Sequence, residues 1–168
     1  MISFKVVALA EHPHHWQTAA EWSFAAWHHE FPSDTVQTYL DQYKLAASKP
    51  DTLIEIYAAV DNDDKLLGVA TLVDDDELPD APEPGPWLAA VFVTPDARKH
   101  GAGSALVEHV TSRARALGHK KLFLYTEHAQ DWYLSKGWRK VRDTVFLGLH
   151  HTVMQLDLVI LFFASGFT

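Results

Sequence analysis

Val91-Phe92-Val93-Thr94-Pro95-Asp96-Ala97-Arg98-Lys99-His100-Gly101-Ala102-Gly103-Ser104 is the stretch on which the fold turns. It closes a run of large apolar and β-branched residues, Trp87 to Val93, suited to a central strand. Thr94-Pro95 ends that strand, because proline has no N–H to give a sheet. Beyond the glycines, Leu106, Val110, Ala114 and Leu117 fall three or four apart, which predicts an amphipathic helix over Gly103 to Leu117, closed by Gly118. The first turn of a helix leaves backbone N–H groups unpaired, and the macrodipole adds roughly half a positive charge there. Gly101 and Gly103 carry no Cβ to keep an anion away, and Arg98, Lys99 and His100 add cations and donors. The physics predicts a pyrophosphate site. A dinucleotide fingerprint would want a small residue where Leu106 stands, and a Walker loop would want a lysine between Gly103 and Ser104. Both fail.

Downstream, Leu122 to Thr126 reads as a strand, Ala129 to Ser135 as a short helix before Gly137, and Trp138 to Leu147 and Thr152 to Phe163 as two final strands. Upstream, Ile2 to Leu9 is strand-like. His14 to Glu30 carries Trp16, Ala19, Ala20, Trp22, Phe24 and Trp27 at helical intervals. Pro32 breaks that helix, Ser33 is an N-cap for a second over Asp34 to Ser48, and Pro50 stops it. Thr52 to Val60 and Leu66 to Val73 form a hairpin across Asp61-Asn62-Asp63-Asp64. The stretch Asp74 to Pro86, with four prolines, is a surface loop. The order is that of a mixed α/β sheet with helices on both faces, and 168 residues argue for one domain spanning 1–168.

Arg98-x-x-Gly101-x-Gly103 after Val91-x-Val93-x-Pro95, followed by Tyr133-x-x-x-Gly137-Trp138, resembles the GCN5-related N-acetyltransferase (GNAT) superfamily. The resemblance implies a mixed, mostly antiparallel sheet with splayed central strands, and acetyl-CoA as co-substrate with an amine as acceptor. It implies that the backbone across Val91, Phe92 and Val93 pairs with the pantetheine arm and polarises the thioester carbonyl. Arg98, Lys99, His100, Gly101, Ala102, Gly103 and Ser104 would hold the pyrophosphate, and Tyr133 would protonate the departing thiolate. Thr126 takes the place of an asparagine that touches the cofactor in many members, and Trp138 that of a phenylalanine. The strand Trp87 to Val93 lacks the glutamate that many relatives place there. The candidates for the base are Glu127 first, then the run Asp74-Asp75-Asp76-Glu77, then His28 or His29, with a water chain as the remaining route. The acceptor would lie among Trp27, His28, Asp75 and Trp87. A peptide or protein amino group as acceptor, and a non-catalytic acyl-CoA sensor, are the rival readings.

Composition narrows the field further. A hydrophobic share of 48% excludes intrinsic disorder, and zero cysteines exclude disulfides, thiolate metal sites and cysteine nucleophiles. Residues 51–84 hold eleven of the 22 acids and one base, whereas residues 98–142 hold ten of the 14 bases. A phosphate-bearing ligand suits the later stretch and a cationic one the earlier. A net charge of −8 argues against nucleic acid. Met1 to Ala10 does not read as a signal peptide, and no window reaches the roughly 18 apolar residues of a membrane span, so a cytoplasmic protein is expected. The eleven histidines show no His-Glu-x-x-His, and neighbours such as His14-His15 and His28-His29 are expected to point apart, which argues against a catalytic metal. The apolar tail Leu156 to Phe167 reads as a buried final strand that offers a homodimer contact.

Overall fold

The computed structural model describes residues 2–159. β1 (Phe4–Ala8) leads through two 3-10 turns into α1 (Trp16–Trp27) and α2 (Val36–Ala47). β2 (Ile54–Asp61), β3 (Leu66–Val73) and β4 (Trp87–Val93) follow, then a 3-10 turn, Pro95–His100, that feeds α3 (Ala102–Ala116). β5 (Lys121–Thr126), α4 (Gln130–Ser135), β6 (Arg139–Phe146) and β7 (Leu149–Asp157) complete the chain. The strands lie in the order β1-β2-β3-β4-β5-β7-β6, antiparallel throughout except for the parallel neighbours β4 and β5. This is the mixed, mostly antiparallel sheet expected, and β4 has the bounds read from the sequence.

Side-chain alternation on β2 explains why helices cover both faces. Ile56, Ala58 and Val60 pack with Ala19 and Ala20 of α1 and Tyr39 and Tyr43 of α2. Tyr57 and Ala59 point the other way, into the cluster that holds Leu106, Val107, Val110 and Ala114 of α3. No helix among the described residues is long and apolar enough to cross a membrane.

Among the boundaries that differ from the sequence reading, three have a local reason. α1 begins at Trp16 rather than His14, because Pro13–His15 winds as a 3-10 turn. The N-cap of α2 is Thr35 and not Ser33: its hydroxyl accepts from the Thr38 N–H at 3.4 Å, while the Thr38 hydroxyl oxygen accepts from the Thr35 N–H at 3.0 Å. β6 turns into β7 through Leu147-Gly148, both at positive φ (49° and 77°), a two-residue hairpin that starts β7 three residues early. β7 ends at Asp157. The remainder of the expected final strand, and the homodimer contact assigned to it, lie for the most part outside the described residues.

The centre of the sheet is not closed. Among the described residues β4 and β5 pair at Trp87 and Phe123 alone, with the Phe123 N–H donating to the Pro86 carbonyl at 3.0 Å. Thr71 faces Ala89 and Val69 faces Phe92, so β4 uses three steps where β3 uses two. The surplus residue is a bulge at Ala90, whose φ of 51° is uncommon for any residue but glycine. The bulge turns β4 away from β5, and a wedge opens between Leu88–Val91 and Leu124–Thr126.

Candidate active site

The wedge widens into a cavity of about 320 Å³ lined by Leu88 to Val91, Leu124 to Ala129, Trp27, Tyr39 and Tyr133, among others. One wall is therefore backbone that the sheet has left without a partner strand. Tyr133 reaches it from α4, packed edge-on between Trp132 (4.9 Å) and Trp138 (5.6 Å). Burial pushes its phenol well above the ordinary tyrosine value, so it stays protonated at neutral pH.

At the C-terminal end of β4 the chain turns into α3. Gly101 is the N-cap at φ 82°, and no side chain caps the first N–H groups of α3. Its absent Cβ would meet nothing within 4 Å, so the amides open onto free space. Gly103 is different. A Cβ there would touch Val93 at 3.5 Å and the Trp132 ring at 3.8 Å, which is ordinary contact. Arg98 is partly spoken for: its Nε donates to the Val93 carbonyl at 3.0 Å and pins the turn to the strand end. His100 accepts the Ile2 N–H on Nδ1 at 3.4 Å, Lys99 is exposed, Ala102 is buried in the core, and Ser104 is half-buried. The cationic turn predicted from the sequence is assembled, though two of its side chains also serve the fold.

The opposite wall is acidic. Glu30, Asp34, Asp76, Glu77 and Glu127 line the cavity, and among the described residues the lining contains no lysine or arginine. Burial raises Asp76 well above the ordinary carboxylate range, and the charges of Glu77 and Glu30 raise it further. Burial and a hydrogen bond with Glu127 likewise raise Glu30. Burial also works against the charge on Glu127, but its hydrogen bonds with Glu30 and His29 prevail and hold it below the usual range. The turn that carries Glu127 is fastened on both sides. Thr126 Oγ1 accepts from the Ala129 N–H at 3.1 Å, and Gln130 Nε2 donates to the Glu127 carbonyl at 3.0 Å and to Thr152 Oγ1 at 3.1 Å. Thr126 thus positions Glu127 as well as bordering the wedge.

Of the expected acceptor residues, Trp27 lines the cavity and three do not. His28 turns back on α1, its Nδ1 2.9 Å from the Phe24 carbonyl oxygen and its ring stacked on Phe24; the cavity receives His29 instead. Asp75 accepts the Glu77 N–H at 2.9 Å within its own loop, and Asp76 and Glu77 take its place. Trp87 is 3% exposed and packs beneath the floor with Phe123, Leu78 and Val153. Phe92 contributes its backbone to β4 while its ring packs on Trp22 and Trp27 of α1. Glu30 and His151 were not anticipated at all. His151 has 0% side-chain exposure, and its Nε2 stands 3.2 Å from Glu30 Oε1. A strand that reads His150-His151 must send one ring inward, and that was the available signal. The adjacent histidines also do not point apart everywhere, since His14 and His15 both reach Asp64, at 2.7 and 3.0 Å.

Part of the charge segregation is settled inside the molecule. Arg113 makes a two-pronged pair with Glu55 (2.7 and 3.2 Å), and Arg142 one with Glu83 (2.6 and 3.0 Å). Of the other acids in residues 51–84, Asp76 and Glu77 line the cavity.

Comparison with known proteins bears on this arrangement. The model of the acetyltransferase (GNAT) family matches residues 9–138. An amino-acid acetyltransferase from Ralstonia nicotianae is 33% identical over 82 residues, which cover 49% of this chain and 17% of the relative. One from Azotobacter vinelandii is 34% identical over 83 residues, covering 49% and 18%. The chain thus spans under a fifth of the length of these curated relatives. Among solved structures, an aminoglycoside 6'-N-acetyltransferase complexed with coenzyme A superposes with a TM-score of 0.72 at 15% identity, covering 93% of this chain and 98% of that one. An acetyltransferase of the GNAT family from Staphylococcus aureus Mu50 gives 0.65 at 14%, covering 94% and 100%. At these identities the structures share the fold.

Proposed function

The chain belongs to the acetyltransferase (GNAT) family, and from that premise we propose that it transfers an acetyl group from acetyl-CoA to a primary amine of a cationic small molecule by direct attack. The observation that carries this reading is the composition of the cavity: among the described residues, five carboxylates line the wedge between β4 and β5 with two histidines, His29 and His128, and no lysine or arginine. An ammonium acceptor is attracted there. An acceptor bearing its own carboxylate finds no lysine or arginine among the described lining residues to hold it. The solved relative named for an aminoglycoside acceptor, with coenzyme A bound, supports a polyamine-like substrate.

In this reading the pantetheine arm lies along β4 in place of a strand, between Val91 and Val93, and an N–H of that segment donates to the thioester oxygen as it gains charge. The diphosphate sits against the amides of Gly101 to Ser104, with Arg98, Lys99 and His100 beside it. Glu127, held by Thr126 and Gln130, takes a proton from the ammonium. The freed nitrogen attacks the carbonyl carbon and the C–S bond breaks. Tyr133 then gives its proton to the leaving thiolate, and the second proton shed by the acylated nitrogen restores the phenol through water.

Thiol release from acetyl-CoA, followed across polyamines, aminoglycosides, amino acids and short peptides, tests the proposal. Turnover is expected with di- and polycationic amines, with a KM that rises as salt screens the carboxylates. Silence with every cationic amine would overturn it in favour of a binding role. Tyr133→Phe should lower kcat about tenfold, below the ~10²–10⁴-fold usual for acid catalysis because a thiolate leaves readily, with acetyl-CoA affinity nearly unchanged in calorimetry. An unaltered kcat would remove the tyrosine from the proton path.

A further inference from the structure

At one end of the cavity four side chains meet that the transfer chemistry uses only in part. His29 Nε2 stands 3.0 Å from Glu127 Oε1 and 3.9 Å from Glu30 Oε1. His151 Nε2 stands 3.2 Å from Glu30 Oε1 and 3.8 Å from Glu127 Oε1. Nitrogen and oxygen atoms therefore alternate around a ring. Donors ~2.0–2.1 Å from a tetrahedral zinc ion stand ~3.3 Å from one another; the donor atoms of His29, Glu30 and Glu127 all lie within 4.8 Å of one another, and His151 joins that trio through Glu30 at 3.2 Å.

His151 supplies a separate argument. Its Nδ1 lies 3.1 Å from the Leu149 carbonyl oxygen, which can only accept, so Nδ1 carries the ring proton. In the neutral ring Nε2 then presents a lone pair, and it faces a carboxylate oxygen in the interior. Two acceptors facing each other need a proton or a cation between them. An imidazole oriented through its far nitrogen by a backbone carbonyl is also how metal-binding histidines are held. Two imidazoles with two carboxylates suit zinc, cobalt or nickel better than magnesium or calcium, which prefer oxygen alone.

We propose that His29, Glu30, Glu127 and His151 bind a divalent transition-metal ion, zinc foremost, and that the bound ion excludes the ammonium group of the acceptor. The exclusion rests on the acceptor reading above; the metal site does not. Zinc would act here as an inhibitor, because it occupies the carboxylates that receive the amine.

Cobalt(II) added to chelator-treated protein, with no acetyl-CoA or amine present, tests the site. One equivalent should give the intense visible bands of tetrahedral coordination. His29→Ala and Glu127→Gln should each weaken binding by at least about 100-fold, no less than the loss of an outer-shell partner. Both residues line the cavity, so these variants keep the test open if His151→Ala fails to fold. The double variant His14→Ala/His15→Ala should bind as the parent does. Absence of the bands, or their loss in that double variant with retention in His29→Ala, would overturn the site. With a responsive amine in hand, zinc should raise its apparent KM and leave kcat and acetyl-CoA affinity unchanged. A fall in kcat at constant KM would overturn the exclusion, and the cobalt result would still decide the site.

Discussion

Coenzyme A should bind the Gly101→Asp variant at least about 30-fold more weakly than the Gly101→Asn variant, a gap of ~2 kcal/mol. Asparagine and aspartate have nearly the same shape, and both must adopt φ 82° at the N-cap of α3, so backbone strain divides out of the comparison. Neither meets a steric obstacle, because the missing Cβ has no neighbour within 4 Å. What differs is one negative charge placed beside amides that should receive a diphosphate. Like charges about 4 Å apart repel by ~1 kcal/mol in water and ~4 kcal/mol near a protein surface, which brackets the figure. Calorimetric titration of both variants, with circular dichroism to show that α3 survives, is the measurement. Equal affinities would remove the diphosphate from this turn and take the acetyl-CoA reading with it.

Glu127→Gln should lower kcat/KM for the responsive amine by about 10²–10³-fold when assayed with a chelator present, and should leave acetyl-CoA affinity unchanged. The amide preserves the shape of the turn that Thr126 and Gln130 hold, because both bonds reach backbone or neighbouring side chains rather than the Glu127 carboxylate. It cannot take a proton from an ammonium. A loss confined to KM would mean that Glu127 only attracts the acceptor, and full retention of kcat/KM would pass the proton to water.

The strand–turn–helix segment proposed for the cofactor was legible as local structure because it is contiguous in the chain. Strand, turn and helix N-terminus follow one another from Trp87 to Ala116, and β4 was placed to the residue. Its distortion was not legible: nothing about Ala90 announces a bulge, which arises from registry with β3. The cavity proposed for the acceptor is lined by remote segments, and there the sequence reading and the lining differ by one residue at a time. His28 and His29 leave α1 about 100° apart in direction, so only tertiary packing selects which enters the cavity. Asp75 and Asp76 sit in a loop with no period to separate them. Glu30 and His151 are 121 residues apart and meet because β7 pairs with β5 on the side where α1 ends. Ser33 lost the cap of α2 to Thr35 because Thr38 can answer with its own hydroxyl, a reciprocity the usual capping pattern assigns to glutamate or glutamine.

Among the described residues Trp87 and Phe123 are the single point at which β4 and β5 pair, which leaves two half-sheets joined by a short seam. A zipped sheet resists shear along its whole length, whereas here β1 to β4 and β5 to β7 share a short seam and their covering helices. A ligand laid in the gap would stitch the halves by supplying the backbone partners each lacks. Rigidity in such a molecule is lent by what it holds, and the rise in thermal stability on saturation would follow the logarithm of ligand concentration over Kd.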